Sequence, residues 1–279
     1  MLPTFLIVGA QKSGTTTLKH YLSQFDNVWI NANTRASAFF SRDKVFARGL
    51  EWYSRFFHEA EGKAAIGEKA AGYGYRPQVP GRISRCLPHV KLIWTLREPV
   101  ARTYSSYWHA ASRGNDPLSF EQALEREPRR IQRDIMLGYS KRSLYVEQVE
   151  RYLEYFPREQ MHFLLFERML ADPARELSRI LTFLGVPRIV NGVRPPRSTN
   201  ARFIPRSLLV QWGARHVFGV GTRPYGVISR WNVRKTPGYP PMREDTRQML
   251  RERFREPNAR LAAITGLDLT VWEESSRTR

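Results

Sequence analysis

Apolar residues along the chain follow two alternating patterns. Short apolar runs bounded by turn residues predict strands at Phe5–Val8, Val28–Ile30, Ala64–Ile66, Lys91–Leu96 and His162–Phe166. Apolar residues at helical spacing predict helices at Thr15–Phe25, Val100–Ser112, Ser119–Glu127, Ser143–Phe156, Pro173–Leu184 and Arg243–Thr265. Repeated strand and helix units indicate an α/β fold, with a central, mostly parallel sheet flanked by helices and ligands bound at the carboxyl ends of its strands.

The segment from Gly185 to Pro241 interrupts this alternation. It has little periodicity and is rich in proline, glycine and arginine, which predicts an excursion over the ligand site rather than a linker. The length of 279 residues and the hydrophobic content of 42% are sufficient for one large core. We therefore expect a single domain over residues 1–279.

Charge and composition narrow the function classes. The net charge of +19 predicts attraction to anionic partners, but the basic residues are spread along the chain and no nucleic-acid-binding signature is present, so nucleic acid is not an expected partner. A single cysteine, Cys86, excludes an internal disulfide framework. No apolar run approaches the roughly 18 residues of a membrane span, and no targeting segment is evident at the N-terminus. These features predict a basic cytoplasmic protein without a membrane span.

The stretch GAQKSGTTTL, Gly9 to Leu18, directly follows the first predicted strand. Its two glycines have the spacing of a Walker A loop, but Thr15 occupies the position of the Walker lysine and Lys12 lies inside the loop. Backbone amides at Ser13 to Thr17 and the positive end of the following helix predict a site for a phosphate-like dianion, with Lys12 as a point charge. The loop is therefore P-loop-like but lacks an obvious magnesium ligand.

This loop resembles the first loop of sulfotransferases that use 3′-phosphoadenosine 5′-phosphosulfate (PAPS), which reads much like G-x-x-K-[SG]-G-T-[TS]-x-L. The resemblance implies that the loop binds the 5′-phosphosulfate and that Lys12 sits near its bridging oxygen. The nucleotide-binding residues implied here are Gln11, Lys12, Ser13, Gly14, Thr15, Thr16 and Thr17.

A second segment, KLIWTLREPVARTYSSYWH, starts at Lys91 and carries another phosphate signal. Arg97 follows a predicted buried strand and Ser105 lies on the next predicted helix, so a planar guanidinium and a hydroxyl can hold one phosphate together. The segment is similar to the family signature R-[DE]-P-x-x-R-x-x-S. The resemblance implies that Arg97 and Ser105 bind the 3′-phosphate of the nucleotide.

Two further segments extend the resemblance, which is greatest to the heparan-type and bacterial branches of the family. Residues 67–73 resemble G-E-K-[ST]-P-x-Y, and this implies that Lys69 lies close to the transferred sulfonate or the acceptor. Near the C-terminus, RKTPGYP resembles a shortened K-G-R-x-H-P loop that closes over the nucleotide. Lys235 matches that loop and Arg234 adjoins it, whereas Pro237 stands where the family has arginine.

One segment departs from the family pattern. The family reads K-E-x-H-F-F, with the glutamate as catalytic base, but here the segment is RASAFF and both positions are alanine, Ala36 and Ala38. General-base assistance is worth about 10²–10⁴ in rate. Three explanations stay open: an inactive variant, another base such as Glu68 or Asp43, or an acceptor acidic enough to need little help, such as a phenol. Further candidate bases are His20, His58 and His109.

The resemblance as a whole implies a PAPS-dependent sulfotransferase. Such an enzyme transfers a sulfonate group by in-line displacement to a hydroxyl of a small-molecule or glycan acceptor, without a metal. The catalytic residues expected on this hypothesis are Lys12, Lys69 and Glu68. One alternative is a P-loop kinase or NTPase, which Thr15 and the lack of a convincing Walker B segment disfavour. The other is a catalytically impaired polyanion-binding homologue, which the +19 charge and Ala36 favour.

Overall fold

A computed structural model describes residues 1–187, 192–196, 203–234 and 238–277 of the chain, and the backbone alone for 274–277. The described chain divides into two compact units. The first unit comprises Met1–Glu98, Tyr145–Arg197 and Pro257–Arg279, and the second comprises Pro99–Leu144 and Ser198–Glu256.

The first unit contains a five-stranded sheet. Its strands are β1 (Phe5–Gly9), β2 (Val28–Asn31), β3 (Ala65–Lys69), β4 (Lys91–Leu96) and β5 (Met161–Leu165). They lie in the order β2-β3-β1-β4-β5, and every pairing is parallel. The α/β fold with a central parallel sheet is therefore confirmed, together with all five predicted strands.

Helices of both units lie between and after these strands along the chain. In chain order they are α1 (Thr15–Leu22), α2 (Asp43–Phe46), α3 (Gly49–Ser54), α4 (Val79–Cys86), α5 (Pro99–Ala111), α6 (Phe120–Glu125), α7 (Glu127–Arg130), α8 (Tyr145–Leu153), α9 (Phe166–Ala171), α10 (Pro173–Leu184), α11 (Leu208–Phe218), α12 (Arg223–Trp231), α13 (Glu244–Thr265) and α14 (Thr270–Arg277). Short 3₁₀ helices lie at Ala36–Ala38, Arg55–Ala60, Ile135–Leu137, Lys141–Ser143 and Arg158–Gln160. Within the described ranges, none of the helices is both long and apolar enough to cross a membrane.

The described residues of the segment Gly185–Pro241 include two helices that its sequence did not predict. Helices α11 and α12 lie within it, whereas the weak periodicity predicted an irregular excursion. Both helices begin at hydroxyl caps, because Ser207 accepts a hydrogen bond from the Val210 amide and Thr222 accepts one from the Tyr225 amide. Local capping therefore defines helix starts that the apolar pattern does not reveal.

The sheet of the first unit has an apolar core on each face. Alternate residues of β1 contribute to different cores, with Phe5 and Ile7 on one side and Leu6 and Val8 on the other. Residues of α1 and α10 pack against the first of these faces, and residues of α3, α4 and α8 pack against the second. Because β1 is buried on both faces, all of its residues face apolar surroundings, which explains the uninterrupted apolar run Phe5–Val8 in the sequence.

The second unit is helical and has its own apolar cluster. Tyr107, Phe120 and Phe254 are among its buried members. Next to it, the buried carboxylate of Asp116 accepts hydrogen bonds from the Tyr139 hydroxyl at 2.7 Å and from Arg130 at 2.6 Å. The acid is thus fully paired, as a buried charge requires.

Close packing between β1 and β3 depends on Gly67. Phe5 is opposite Gly67 in the pairing of these strands, and a Cβ atom at position 67 would lie 2.1 Å from Phe5 Cζ. Because both strands are held by neighbours, the ring has little room to move. Gly67 thereby sets the position of the two residues that follow it, Glu68 and Lys69.

We expect Gly67→Ala to lower the free energy of unfolding by about 1–3 kcal/mol, because the added methyl overpacks the core against Phe5. The matched control is Gly213→Ala in α11, where an added Cβ meets no described atom within 4 Å. That change should leave stability unchanged or raise it by up to about 1 kcal/mol through better helix propensity. Urea unfolding followed by circular dichroism measures both, and equal stabilities would contradict the packing constraint.

Candidate active site

The loop between β1 and α1 turns through two residues with positive φ. Lys12 has φ of 71° and Gly14 has φ of 88°. A Cβ at Gly14 would lie 2.3 Å from the ring of Phe166, so both the backbone angle and the contact require glycine there. Ser13 is fully buried between them, and its hydroxyl lies 3.4 Å from the Tyr145 hydroxyl. The turn is therefore held by the close contact of Gly14 with Phe166 and by the contact of Ser13 with Tyr145.

The amino end of α1 suits an anion. Among the described residues, no side chain caps this helix end, and its first turn contains no acidic residue. Its first amides therefore have no cap to satisfy them, and the helix dipole adds a partial positive charge at the same place. The predicted phosphate-binding residues from Gln11 to Thr17 make up this continuous loop and first turn.

Arg97 lies directly after β4 and contacts the loop. Its Nη1 donates to the carbonyl oxygen of Lys12 at 3.4 Å, and its guanidinium carbon lies 5.4 Å from the ring centroid of Phe166. The Arg97 carbonyl accepts a hydrogen bond from the Tyr145 hydroxyl at 2.9 Å. Arg97, which belongs to the second phosphate signal, is thus adjacent to the loop of the first signal although the two are distant along the chain.

The other residues predicted to contact the nucleotide belong to the second unit. Ser105 is buried on α5. Arg234 is exposed, and its Nη2 donates to the carbonyl oxygen of Arg206 at 3.4 Å. Lys235 and Pro237 lie outside the described residues. Joint binding of one phosphate by Arg97 and Ser105 stays a prediction, because the two residues belong to different units.

Lys69 connects the end of β3 to the loop. Its Nζ donates to the Thr16 hydroxyl at 3.3 Å. Burial lowers the pKa of Lys69, and the nearby charge of Lys19 lowers it further. The side chain therefore places a partly desolvated amine beside the uncapped start of α1.

Glu68 is a buried carboxyl with incomplete hydrogen bonding. It is 1% exposed, and its Oε2 accepts a hydrogen bond from the Tyr53 hydroxyl at 3.0 Å. Burial raises the pKa of Glu68 to about 7, although hydrogen bonds from Tyr73 and Tyr53 act in the opposite direction. Its other oxygen, Oε1, has no hydrogen-bond partner in the described part of the chain. Such a carboxyl titrates near neutral pH.

Next to Glu68 and Lys69 lies a cavity of about 300 Å³. Its walls come from Gln11, from Lys19, and from residues within 31–41 and 68–73, and most are polar. Among the described residues that line it, Glu68 is the only acid. The cavity thus combines two amines, a buried carboxyl and neutral hydrogen-bonding groups, which is a suitable lining for a polar acceptor.

Lys19 is a site residue that the sequence reasoning missed. It lies on α1, its Nζ donates to the Asn31 carbonyl oxygen at 3.3 Å, and burial lowers its pKa. The signal available in the sequence was its position three residues after Thr16, which places both on one face of the helix.

The segment RASAFF, which departs from the family pattern, lies partly in the apolar core and partly at the cavity. Ala36 is fully buried within the apolar cluster that includes Phe39, Phe40 and Tyr53, and it does not line the cavity. Its neighbour Ser37 does line it. The 3₁₀ turn at Ala36–Ala38 therefore contributes a hydroxyl to the cavity but no acid or imidazole.

The other candidate bases lie away from the cavity lining. Asp43 is largely exposed and pairs with Arg82. His58 is exposed and bonds the Arg55 carbonyl, while His20 is exposed with its ring against Tyr21. His109 belongs to the second unit, where its ring contacts Arg113.

Comparison with known proteins identifies the family of the chain. Residues 2–195 match the family model described as the sulfotransferase domain. Heparan sulfate glucosamine 3-O-sulfotransferase 3A1 of Mus musculus is 34% identical over 190 residues, which cover 68% of this chain and 47% of that protein. Bifunctional heparan sulfate N-deacetylase/N-sulfotransferase 3 of Homo sapiens is 28% identical over 288 residues, covering 97% of this chain and 31% of that protein. The chain thus spans about half or less of these relatives.

Solved structures show the same fold. The crystal structure of a sulfotransferase from Alicyclobacillus acidocaldarius has a TM-score of 0.74 and 29% identity, and the match covers 98% of this chain and 99% of that one. A mouse sulfotransferase solved in complex with PAP has a TM-score of 0.52 at 14% identity, covers 99% of this chain and 89% of that one, and shares the fold. By its domain match and its relatives, the chain belongs to the sulfotransferase family.

Proposed function

We propose that the protein transfers a sulfonate group from PAPS to an acceptor hydroxyl, giving a sulfate ester. The main support is the convergence of positive groups on the start of α1. Arg97 donates to the Lys12 carbonyl in the loop, and Lys69 donates to Thr16 in the first turn. Lys12, Lys69 and Arg97 are thus positively charged residues at a helix start whose first turn contains no acid. Their positive charge complements the negative charge of a phosphosulfate.

The nucleotide would be held by the residues that the sequence resemblance implies. The loop from Gln11 to Thr17 would bind the 5′-phosphosulfate through its amides and Lys12. Arg97 would bind the 3′-phosphate together with Ser105, and Arg234 and Lys235 would contribute further nucleotide contacts. The requirement for a 3′-phosphate would distinguish this nucleotide from ATP and ADP.

The chemistry would be an in-line displacement at sulfur. A bond forms between the acceptor oxygen and sulfur as the bond from sulfur to the bridging oxygen breaks, and adenosine 3′,5′-bisphosphate leaves with that electron pair. Lys12 and the loop amides would stabilise the negative charge on the leaving oxygen. Lys69 would donate hydrogen bonds to the sulfonate oxygens and so orient the group.

Glu68 would act as the proton acceptor. It is the acid beside the cavity, and its pKa of about 7 lets the carboxylate form near neutral pH. Its Oε1 has no partner among the described residues, so an acceptor hydroxyl that reached this oxygen would supply one. On this proposal Glu68 takes the role that the family pattern gives to a glutamate at the position of Ala36.

The acceptor would be a small molecule or a glycan with a hydroxyl beside an anionic group. Lys19 and Lys69 line the cavity, and they would pair with a carboxylate or sulfate on such a molecule. Relatives named for heparan sulfate support a glycan of this charge.

The nucleotide assignment predicts micromolar binding of adenosine 3′,5′-bisphosphate without magnesium, with ADP bound much more weakly. Arg97→Ala should weaken bisphosphate binding by at least about tenfold, because a charge-assisted hydrogen bond to phosphate is lost. Isothermal titration calorimetry measures each affinity. The matched control is Arg55→Ala, since Arg55 is exposed and pairs only with Glu51 among its described partners. Equal affinity for ADP, or magnesium-dependent ATP hydrolysis, would instead support a P-loop kinase or NTPase.

The assignment of Glu68 predicts a pH-dependent rate. Because burial raises its pKa to about 7, the carboxylate is lost as pH falls through 7 and the rate should fall with it. Glu68→Gln should lower kcat by about 10²–10⁴ and abolish this acid limb. The measurement is kcat between acid and alkaline pH with PAPS and the best available acceptor, beside bisphosphate affinity as a check on folding.

Tyr53→Phe tests whether Glu68 has a chemical role or only a structural one. Removing the Tyr53 hydrogen bond to the carboxylate should raise the pKa of Glu68, so the acid limb should move to higher pH while activity at alkaline pH persists. An acid limb that stays in place in Tyr53→Phe and survives in Glu68→Gln would assign the base to another group.

A further inference from the structure

Exposed apolar side chains are concentrated on the α11–α12 hairpin, defined as residues 208–231. Of twelve large hydrophobic residues exposed among the described residues, eight fall between Leu209 and Trp231. The most exposed are Val217 at 74%, Leu209 at 69% and Trp231 at 69%. Scattered exposed apolar residues are ordinary, but a dense group of them marks an interaction surface.

Buried polar side chains join the two helices of this hairpin, alongside the buried Ala214. Gln211 is fully buried, and its Nε2 donates to the Ser229 hydroxyl at 2.9 Å. Asn232, which follows α12, is also buried, and its Nδ2 donates to the Ser207 carbonyl oxygen at 2.8 Å. Polar groups therefore hold the two helices together while Trp and Val side chains face outward, which is the reverse of a water-facing hairpin. The outward face is therefore a candidate surface for an apolar partner.

The chain segment that carries this face is basic and has no acidic residue. No aspartate or glutamate lies between Glu176 and Glu244 in the sequence. Residues 203–234 include five arginines, of which Arg206, Arg223, Arg230 and Arg234 are exposed. On α12, Arg223, Val227 and Trp231 recur at four-residue spacing, so cationic and apolar groups share one helix face.

From these features we infer that the α11–α12 hairpin binds the surface of an anionic lipid bilayer. The outward Trp, Leu and Val side chains would enter the interface between headgroups and acyl chains, and the arginines would pair with lipid phosphates. A second copy of the chain would bring arginines against arginines, and a soluble polyanion would leave the apolar side chains uncovered. An anionic bilayer satisfies both requirements at once.

Binding to vesicles by the full chain tests this inference. Phosphatidylcholine vesicles with and without phosphatidylglycerol are sedimented with the protein at low and high salt. Because a charge of +19 attracts the whole protein to any anionic surface, the informative variant removes apolar groups and no charge. Trp212→Ala/Trp231→Ala should weaken binding to anionic vesicles by about tenfold or more, since two interfacial side chains are lost. The matched control, Leu170→Ala/Met249→Ala, removes exposed apolar residues elsewhere and should bind as the unmodified protein does.

Arginine variants test the second half of the surface. Arg223→Gln and Arg230→Gln should each weaken binding to anionic vesicles about fivefold, whereas Arg55→Gln in the first unit should change it less. Circular dichroism confirms that each variant is folded. Three results would overturn the inference: no vesicle binding, unchanged binding by the double tryptophan variant, or a dimer in sedimentation that this variant dissociates. The last result would identify a second copy as the partner.

Discussion

The positions of the site residues in the first unit depend on the parallel pairing of β1, which lies between β3 and β4 in the sheet. The ladder continues past the strands, because the Ala10 amide donates to the Thr95 carbonyl and the Ala70 amide donates to the Ile7 carbonyl. Parallel strands end at a common edge, so the loop after β1, Lys69 and Arg97 meet there although they are far apart in sequence. Main-chain hydrogen bonds thus fix the relative positions of the backbone segments that carry the cationic groups.

The buried acid next to these groups works against stability at alkaline pH. The pKa of Glu68 is raised in the folded state from an ordinary 4.5 to about 7, so the folded protein binds a proton that the unfolded chain releases between those values. Its contribution to folding is therefore greatest when it is protonated and is lost as pH rises through 7. A fully apolar side chain would avoid that cost, which favours a chemical reason for keeping a carboxyl at this position.

The parts of the fold that depend on apolar pattern and on motif were predictable from the sequence. The five strands, the turn at Gly14 and the position of Arg97 at a strand end all follow from local residues. Helices α11 and α12 did not, because their apolar residues face outward while Gln211 and Asn232 lie inside, and this arrangement hides the usual periodicity. The cavity depends on how separate segments meet, so the sequence places Lys19 on the helix face of Thr16 but does not place it at the cavity.

The pairing of Arg97 with Ser105 was predicted from their spacing in the sequence and from the resemblance to a family signature. Each residue now has a defined environment in its own unit, at a strand end for Arg97 and on a buried helix face for Ser105. Sequence spacing identifies such residues as candidates, but it does not establish whether they bind the same ligand.

The packing around Ala36 has a consequence for any substitution at that position. Its methyl group is wholly enclosed in an apolar cluster with Phe39, Phe40 and Tyr53. A carboxylate there would have to be both accommodated by the aromatic rings and removed from water, and each of these carries a cost in folding free energy. An acid at position 36 is therefore compatible with this fold only if the rings around it are arranged differently.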